Sequence, residues 1–294
     1  MSTPPTIKQL QYLKALTQER NFQRAANKCH VSQSTLSAGI IEMENLLGLS
    51  IIDRKNRKKV VLTPFGEEVL KTAQSVLNQM NELTARAQNI TAPLSGPFRL
   101  GIIPTIAPYL LPTILPKLQK EFPKLEIQIT EDLTAPLIKQ LHQSDIDLAI
   151  LAFPYATPNL KQIIFYEEPF FAAAKKGTFT TTKISIKDLE QHNLLLLEDG
   201  HCLRDHALSA CKIELNKNQK SLSATSLLTL IQMAAQGSGI TLLPEMVIKQ
   251  GFLPKSLELT PFKAPKPTRQ IGAAWRENSL QRNNIAAVIS SLNP

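Results

Sequence analysis

Two cysteines nine residues apart are the side chains of this sequence best suited to chemistry. They lie in the stretch Glu198-Asp199-Gly200-His201-Cys202-Leu203-Arg204-Asp205-His206-Ala207-Leu208-Ser209-Ala210-Cys211. Four leucines at 194–197 precede it and predict a buried strand. Asp199 and Gly200 then predict a cap for a helix starting near His201. Cys202 therefore falls in the first turn, where free backbone N–H groups and the helix dipole favour an anion. His201 and Arg204 add positive charge nearby, and Asp199 and Asp205 offset part of it. A thiol in that setting is expected to ionise readily, and the thiolate is the nucleophilic form.

In an intact helix, Cys211 sits about 13 Å of rise and half a turn away from Cys202. A disulfide needs Cα atoms within roughly 7 Å, so the pair cannot bond until the segment unwinds. Oxidation of Cys202 to a sulfenic acid and attack by Cys211 would thus couple redox chemistry to shape. These residues alone leave two readings open: a redox pair, or two unrelated cysteines on a core helix. A zinc set of His201, Cys202, His206 and Cys211 has suitable residue types, but the spacing fits no common zinc pattern. Cys29 reads as a buried core thiol, and His30, His142 and His192 as surface or capping residues.

The elements that position this stretch follow from the whole chain. Its 294 residues suffice for two or three domains with real cores. A hydrophobic fraction of 43% and a charged fraction of 19% are those of a soluble protein. No apolar run approaches the roughly 18 residues of a membrane span, and no signal-peptide apolar region opens the chain. Three cysteines argue against a secreted disulfide scaffold and predict a cytoplasmic protein without a membrane partner. The net charge is +9, and residues 1–92 hold 12 Lys and Arg against 7 Asp and Glu. That basic end admits a polyanionic partner.

Apolar residues at Ile7, Leu10, Leu13 and Leu16 predict a first helix, and 22–28 a second. Ser32 is a good N-cap for a third helix that buries Leu36, Ile40, Met43 and Leu47 before Gly48. Two short helices, a tight turn and a helix with a polar amino end describe a helix-turn-helix. Ser32, Gln33, Ser34, Thr35 and Ser37 are its expected DNA-contacting residues, at base edges or phosphate. Arg54, Lys55, Arg57, Lys58 and Lys59 crowd six positions before a short strand, as in a basic wing that neutralises phosphates. A helical bundle without DNA is the plainer alternative. Thr63-Pro64 starts a long helix in which Val69, Ala73, Val76, Met80, Leu83 and Ala87 form a heptad seam for self-association.

Beyond a linker at 91–97, predicted strands and helices alternate, which argues for open α/β sheets in two lobes with a ligand cleft between them. The expected division is a winged helix-turn-helix at 1–63, a dimerisation helix at 64–91 and a regulatory domain at 92–294. Lobe I would comprise 97–166 and 269–294, and lobe II 167–268.

Residues 7–66 resemble the amino domain of LysR-type transcriptional regulators in Phe22-x-x-Ala25-Ala26, Val31-Ser32-Gln33-Ser34-x-Leu36-Ser37 and Leu62-Thr63-x-x-Gly66. The remainder resembles the peroxide-sensing OxyR branch of that family. The resemblance runs through Gly101-Ile102-Ile103-Pro104-Thr105 with Pro108-Tyr109-Leu110-Leu111-Pro112, through Leu195 to Asp205 and Cys211, and through Ala224-Thr225-Ser226-Leu227 and Gly237-Ser238-Gly239-Ile240-Thr241-Leu242-Leu243-Pro244.

The resemblance implies a periplasmic-binding-protein-like regulatory domain on a winged helix-turn-helix. It also implies a homotetramer on double-stranded DNA, contact with RNA polymerase, and activation of antioxidant genes by hydrogen peroxide. By it, Cys202 is the peroxidatic and Cys211 the resolving cysteine of a reversible disulfide, reset by a thiol reductant such as glutaredoxin or thioredoxin. Thr105, Thr134, His201 and Arg276 would form the peroxide pocket, with Arg204 and Asp205 supporting the thiol and its helix. No cofactor and no metal are implied, and the protein is expected to be a regulator rather than an enzyme. This sequence departs from the family at Gly39-Ile40-Ile41-Glu42-Met43-Glu44, which lacks the usual glutamine and nearby cation. Rival expectations are a LysR-type regulator of a small organic effector, a thiol-dependent peroxidase, and a dimer module without DNA contact.

Overall fold

The computed structural model describes residues 4–53, 60–91, 94–211 and 222–292. The chain divides into two units, Met1–Ala87 with Gln143–Asp145, and Gln88–His142 with Ile146–Pro294. Among the described residues no helix is long and apolar enough to cross a membrane.

The first unit opens with α1 (Ile7–Glu19), whose Thr6 and Gln9 form a capping box. Asn21 caps α2 (Phe22–Lys28) by accepting from the Arg24 N–H. Ser32 caps α3 (Gln33–Leu47), accepting from the Thr35 N–H at 3.1 Å, and Gly48 ends it at a φ of 72°. Leu13, Leu16, Ala25, Ala26, Leu36, Ile40 and Met43 form one core. Ile52 and Leu62 pair across the base of the wing, while the five cations expected within 54–59 lie outside the described residues. Gly66 lets helix α4 (Pro64–Thr91) approach that base closely, since a Cβ there would fall 2.1 Å from the Ile51 carbonyl oxygen. Of the expected seam, Ala73 is buried in the core of its own unit and Val69 packs against that core. Both thus serve one copy's fold. Val76 is half-buried, Met80 and Leu83 stand exposed, and the Ala87 side chain lies outside the described residues.

The second unit alternates as expected: β1 (Gly96–Ile102), α5 (Ala107–Glu121), β2 (Leu125–Glu131), α6 (Thr134–His142) and β3 (Leu148–Phe153). Next comes β4 (Leu160–Lys175), a 16-residue strand that sequence reading did not find. Its first half carries little inward burial, so alternation is weak there. A 3-10 turn (Ile186–Gln191), β5 (Leu196–Leu197), α7 (Cys202–Ala210), β6 (Ser223–Ala224) and α8 (Leu227–Gln236) follow. The chain closes with β7 (Thr241–Pro244), α9 (Glu245–Lys249), β8 (Leu257–Pro261), β9 (Thr268–Arg276) and α10 (Arg282–Ser290).

The main sheet runs β2-β1-β3-β9-β4-β7, with β8 also on β4. β9 lies antiparallel to β3 and to the first part of β4, whereas β7 and β8 pair with its last part. β4 therefore threads both lobes. Each lobe has its own apolar core, one around Leu100, Ile150 and Ala273, the other around Ala172, Leu195 and Leu243. The aliphatic run at 194–197 is shorter as a strand than expected, because Leu194 bridges to Ile240 and only Leu196–Leu197 pair with β6.

Candidate functional site

Helix α7 carries one cysteine at each end, and each end is buried in a different core. Cys202 belongs to the first core and Cys211, the helix C-cap, to the second. Both are free thiols, 6% and 0% exposed. The turn before α7 needs Gly200, whose φ of 95° strains any L side chain. The N-cap is His201 and no side chain caps the helix, so the expected Asp199 cap is not made. Asp199 instead pairs with Arg204 Nε at 3.1 Å.

That pairing revises the charge expected around the thiol. Arg204 turns back, Nη1 donating to the Leu197 carbonyl at 3.1 Å. His201 is half-buried, and burial holds its pKa below the ordinary value despite Glu198, so at neutral pH it adds little charge. For Cys202, burial outweighs everything else and raises the thiol pKa. The Thr134 hydroxyl, the Arg269 guanidinium and the backbone at Ala152 pull it down, while Asp205 pushes it up. The helix-start argument for a readily ionised thiol is therefore overturned by desolvation. Arg204 is turned toward Asp199 and the Leu197 carbonyl, and Asp205 opposes the ionisation of Cys202.

Thr134, the first residue of α6, is 1% exposed, and its hydroxyl makes no hydrogen bond of normal geometry. It nonetheless lies close enough to Cys202 to favour the thiolate. A buried orphan hydroxyl beside a thiol is a natural partner for a small polar reactant. Thr105, also buried, accepts from Arg269: Nη1 donates to its Oγ1 at 3.3 Å and Nη2 to its carbonyl at 3.2 Å. Arg269 Nε donates to Glu168 at 2.6 Å, and the other Glu168 oxygen accepts from the Met246 N–H at 2.6 Å.

Arg276, the arginine expected in the pocket, lies elsewhere. Its Nη1 donates to the carbonyl oxygens of Leu141 and Ile146, at the far end of β9. It lies seven residue steps along the strand from Arg269, about 23 Å and an odd number that reverses the facing side. Arg269 takes the place expected of it. Sequence reading missed both Arg269 and Glu168, which meet across 101 residues of chain. It also missed what His206 does. That ring lies one turn beyond Cys202, 8% exposed, with Nε2 3.1 Å from the Pro154 carbonyl and Nδ1 unpartnered. Its pKa is lowered, first by burial, so it is neutral at pH 7. The four-residue spacing from Cys202 was the available signal.

In the first unit, Ser32, Gln33, Ser34 and Thr35 are exposed at the start of α3 and Ser37 is half-buried. The Ser32 hydroxyl lies 2.8 Å from that of Ser34 and 2.7 Å from that of Thr35. Helix α3 has no Lys or Arg, and Gln9 Nε2 holds the Glu42 carboxylate at 3.0 Å.

The chain is similar to known proteins over nearly its whole length. Residues 7–67 match the bacterial regulatory helix-turn-helix protein, lysR family, and residues 91–293 match the LysR substrate binding domain. The regulator EstR of Acinetobacter baylyi is 40% identical over 99% of this chain and 97% of its own. The dual regulator OxyR of Escherichia coli K12 is 38% identical over 97% and 94% respectively. Among solved structures, a full-length OxyR variant of Pseudomonas aeruginosa aligns with a TM-score of 0.77 at 32% identity, covering 98% of this chain and 94% of that one. A hydrogen-peroxide-bound OxyR mutant of Corynebacterium glutamicum aligns at 0.67 and 32%, covering 100% and 93%.

Proposed function

The chain belongs to the LysR family of bacterial transcriptional regulators, and from that we propose that it is a cytoplasmic, DNA-binding activator switched by hydrogen peroxide. Cys202 is the peroxidatic residue. Its thiolate attacks one peroxide oxygen, an S–O bond forms, the O–O bond breaks, and the departing oxygen leaves as water with the thiol proton. Thr105, Thr134, His201 and Arg269 line the pocket; fixed donors aimed at the developing charge are how such a site accelerates reaction. Cys211 then attacks the sulfenic sulfur, a second water leaves, and a disulfide links the two ends of what was α7.

The observation that carries this reading is the Cys202 thiol buried beside the unpartnered Thr134 hydroxyl, with Cys211 held in a separate core. Bonding 202 to 211 must dismantle α7, which turns oxidation into a conformational signal. A thiol reductant of the glutaredoxin or thioredoxin class would reset it. Self-association through the exposed Met80 and Leu83 and onward to a tetramer would present several copies of α3 to an operator, with RNA polymerase as the downstream partner. The working division is 1–63 for DNA, 64–91 for pairing and 92–294 for sensing. Because α3 has no cation, phosphate contacts fall to the basic segment at 54–59.

The test is intact mass and thiol mapping within seconds of adding one equivalent of peroxide. Loss of two hydrogens, with peptides carrying Cys202 and Cys211 linked and the link absent in Cys202→Ser, is the expected result. Free thiols at both positions would sink the switch while leaving the DNA-binding assignment intact.

A further inference from the structure

Among the described residues, Arg269 is a cation that bears on Cys202, and a carboxylate holds it in place. Glu168 and Arg269 stand opposite each other in the β4–β9 register, and their side chains are wholly buried. One Glu168 oxygen takes the Arg269 Nε–H and the other takes the Met246 N–H at the start of α9. A carboxylate accepts from both donors with one oxygen each, whereas an amide in the same pose would turn its N–H groups toward one of them. With Nε fixed in this way, the two terminal nitrogens are aimed at Thr105. A guanidinium without that anchor has several rotatable bonds and no single direction.

We propose that Glu168 is a positioning residue, holding Arg269 in the orientation that serves the breaking O–O bond at Cys202. The proposal rests on the peroxide reading above. In the attack, the sulfur electron pair forms the S–O bond, and the O–O pair moves onto the departing oxygen until that oxygen takes up its proton. A donor fixed beforehand stabilises that transient charge; one that must reorient does so less. Alkylation of the same thiol by iodoacetamide expels iodide and places no charge on oxygen. Glu168 should therefore matter to one reaction and not to the other. Its own charge also offsets that of Arg269, which tempers how strongly the guanidinium favours the thiolate.

Two variants of the full chain separate these effects. Glu168→Asp keeps the charge but draws the carboxylate back by one methylene, so Arg269 is no longer held in register. The peroxide rate constant should fall about tenfold, about what one lost oriented hydrogen bond to a charged group implies, while the iodoacetamide rate constant stays within about twofold. Glu168→Gln should show the same loss of ratio and, with Arg269 uncompensated, an iodoacetamide pH midpoint moved downward. A solely structural role would open the pocket and change both rates by one factor, and that result in Glu168→Asp would overturn the proposal. So would a wild-type ratio. If Glu168→Gln does not fold, Glu168→Asp alone decides. Wild-type protein inert to peroxide would overturn the peroxide reading and the O–O role together. A midpoint that still moved in Glu168→Gln would mark that as a failure of the reading and not of the Glu168–Arg269 link to Cys202.

Discussion

The two ends of helix α7 hold the same functional group in opposite surroundings. At the amino end, Cys202 is buried among groups that act on its charge: Thr134, Arg269, Asp205 and the backbone at Ala152. At the carboxyl end, Cys211 sits in an apolar core among the described residues, and burial pushes its thiol up to about 12. Both are raised, yet among the described residues it is Cys202 that has partners which can be rearranged to lower its value. Reactivity here is a property of the surroundings and not of helix position. A nine-residue helix is marginal by itself, so the two cores, with the His206 contact, decide whether it persists.

The comparison can be broken most severely at Arg269. Arg269→Met leaves the buried Glu168 carboxylate without its counter-ion, with the Met246 N–H still donating to it, and should cost roughly 3–5 kcal/mol in urea unfolding. The same variant should shift Cys202 alkylation to higher pH and leave Cys211 unaffected. The next largest effect is a pH dependence belonging to Cys211. Its folded pKa lies above the ordinary 9.0, so the fold favours the protonated thiol; that stability is full below pH 9.0 and drains as pH climbs toward about 12. Unfolding midpoints at pH 8 and pH 10.5 should differ by more in wild type than in Cys211→Ala.

A smaller change is expected at His206. His206→Ala removes a hydrogen bond of about 0.5–1.5 kcal/mol and should speed amide exchange along α7, with His206→Gln restoring part of the protection. Unchanged exchange would mean that packing alone holds the helix. Least of all, Thr134→Val deletes an unpartnered buried hydroxyl, so stability should hold or rise by up to about 1 kcal/mol. Cys202 alkylation should nonetheless move to higher pH, since a group favouring the thiolate is gone. A fall in stability would show that the hydroxyl has a partner in solution.

What could be read from the sequence was local. Ser32 capping α3, Gly48 ending it and the start of α7 at Cys202 follow from neighbouring residues, and the structure has them all. So does the alternation of strands and helices after residue 96. The errors arose where distant strands meet. Arg276 sits beside Trp275 in a recognisable run, but the β4–β9 register places Arg269 against Glu168, and no local pattern encodes that. The thiol's ionisation was misjudged for a related reason. Helix dipole and nearby charges are visible in a sequence, whereas the depth of burial that outweighs them belongs to the assembled core. Val69 and Ala73 matched a heptad seam because a stripe facing one's own core and one facing a partner share a spacing.

The apolar seat of Cys211 has a consequence for order in time. A thiol pushed up to about 12 is almost wholly protonated at neutral pH and so is a poor nucleophile toward a sulfenic sulfur while it stays in that core. In the proposed switch it would become a ready nucleophile on leaving that core, and leaving the core is the unwinding that would bring it within reach. One movement would therefore both arm and deliver the second sulfur. The proposed switch would then work as an interlock: no covalent link could close on an unmoved helix, and stray disulfides would find Cys211 nearly silent until the first oxidation had been registered.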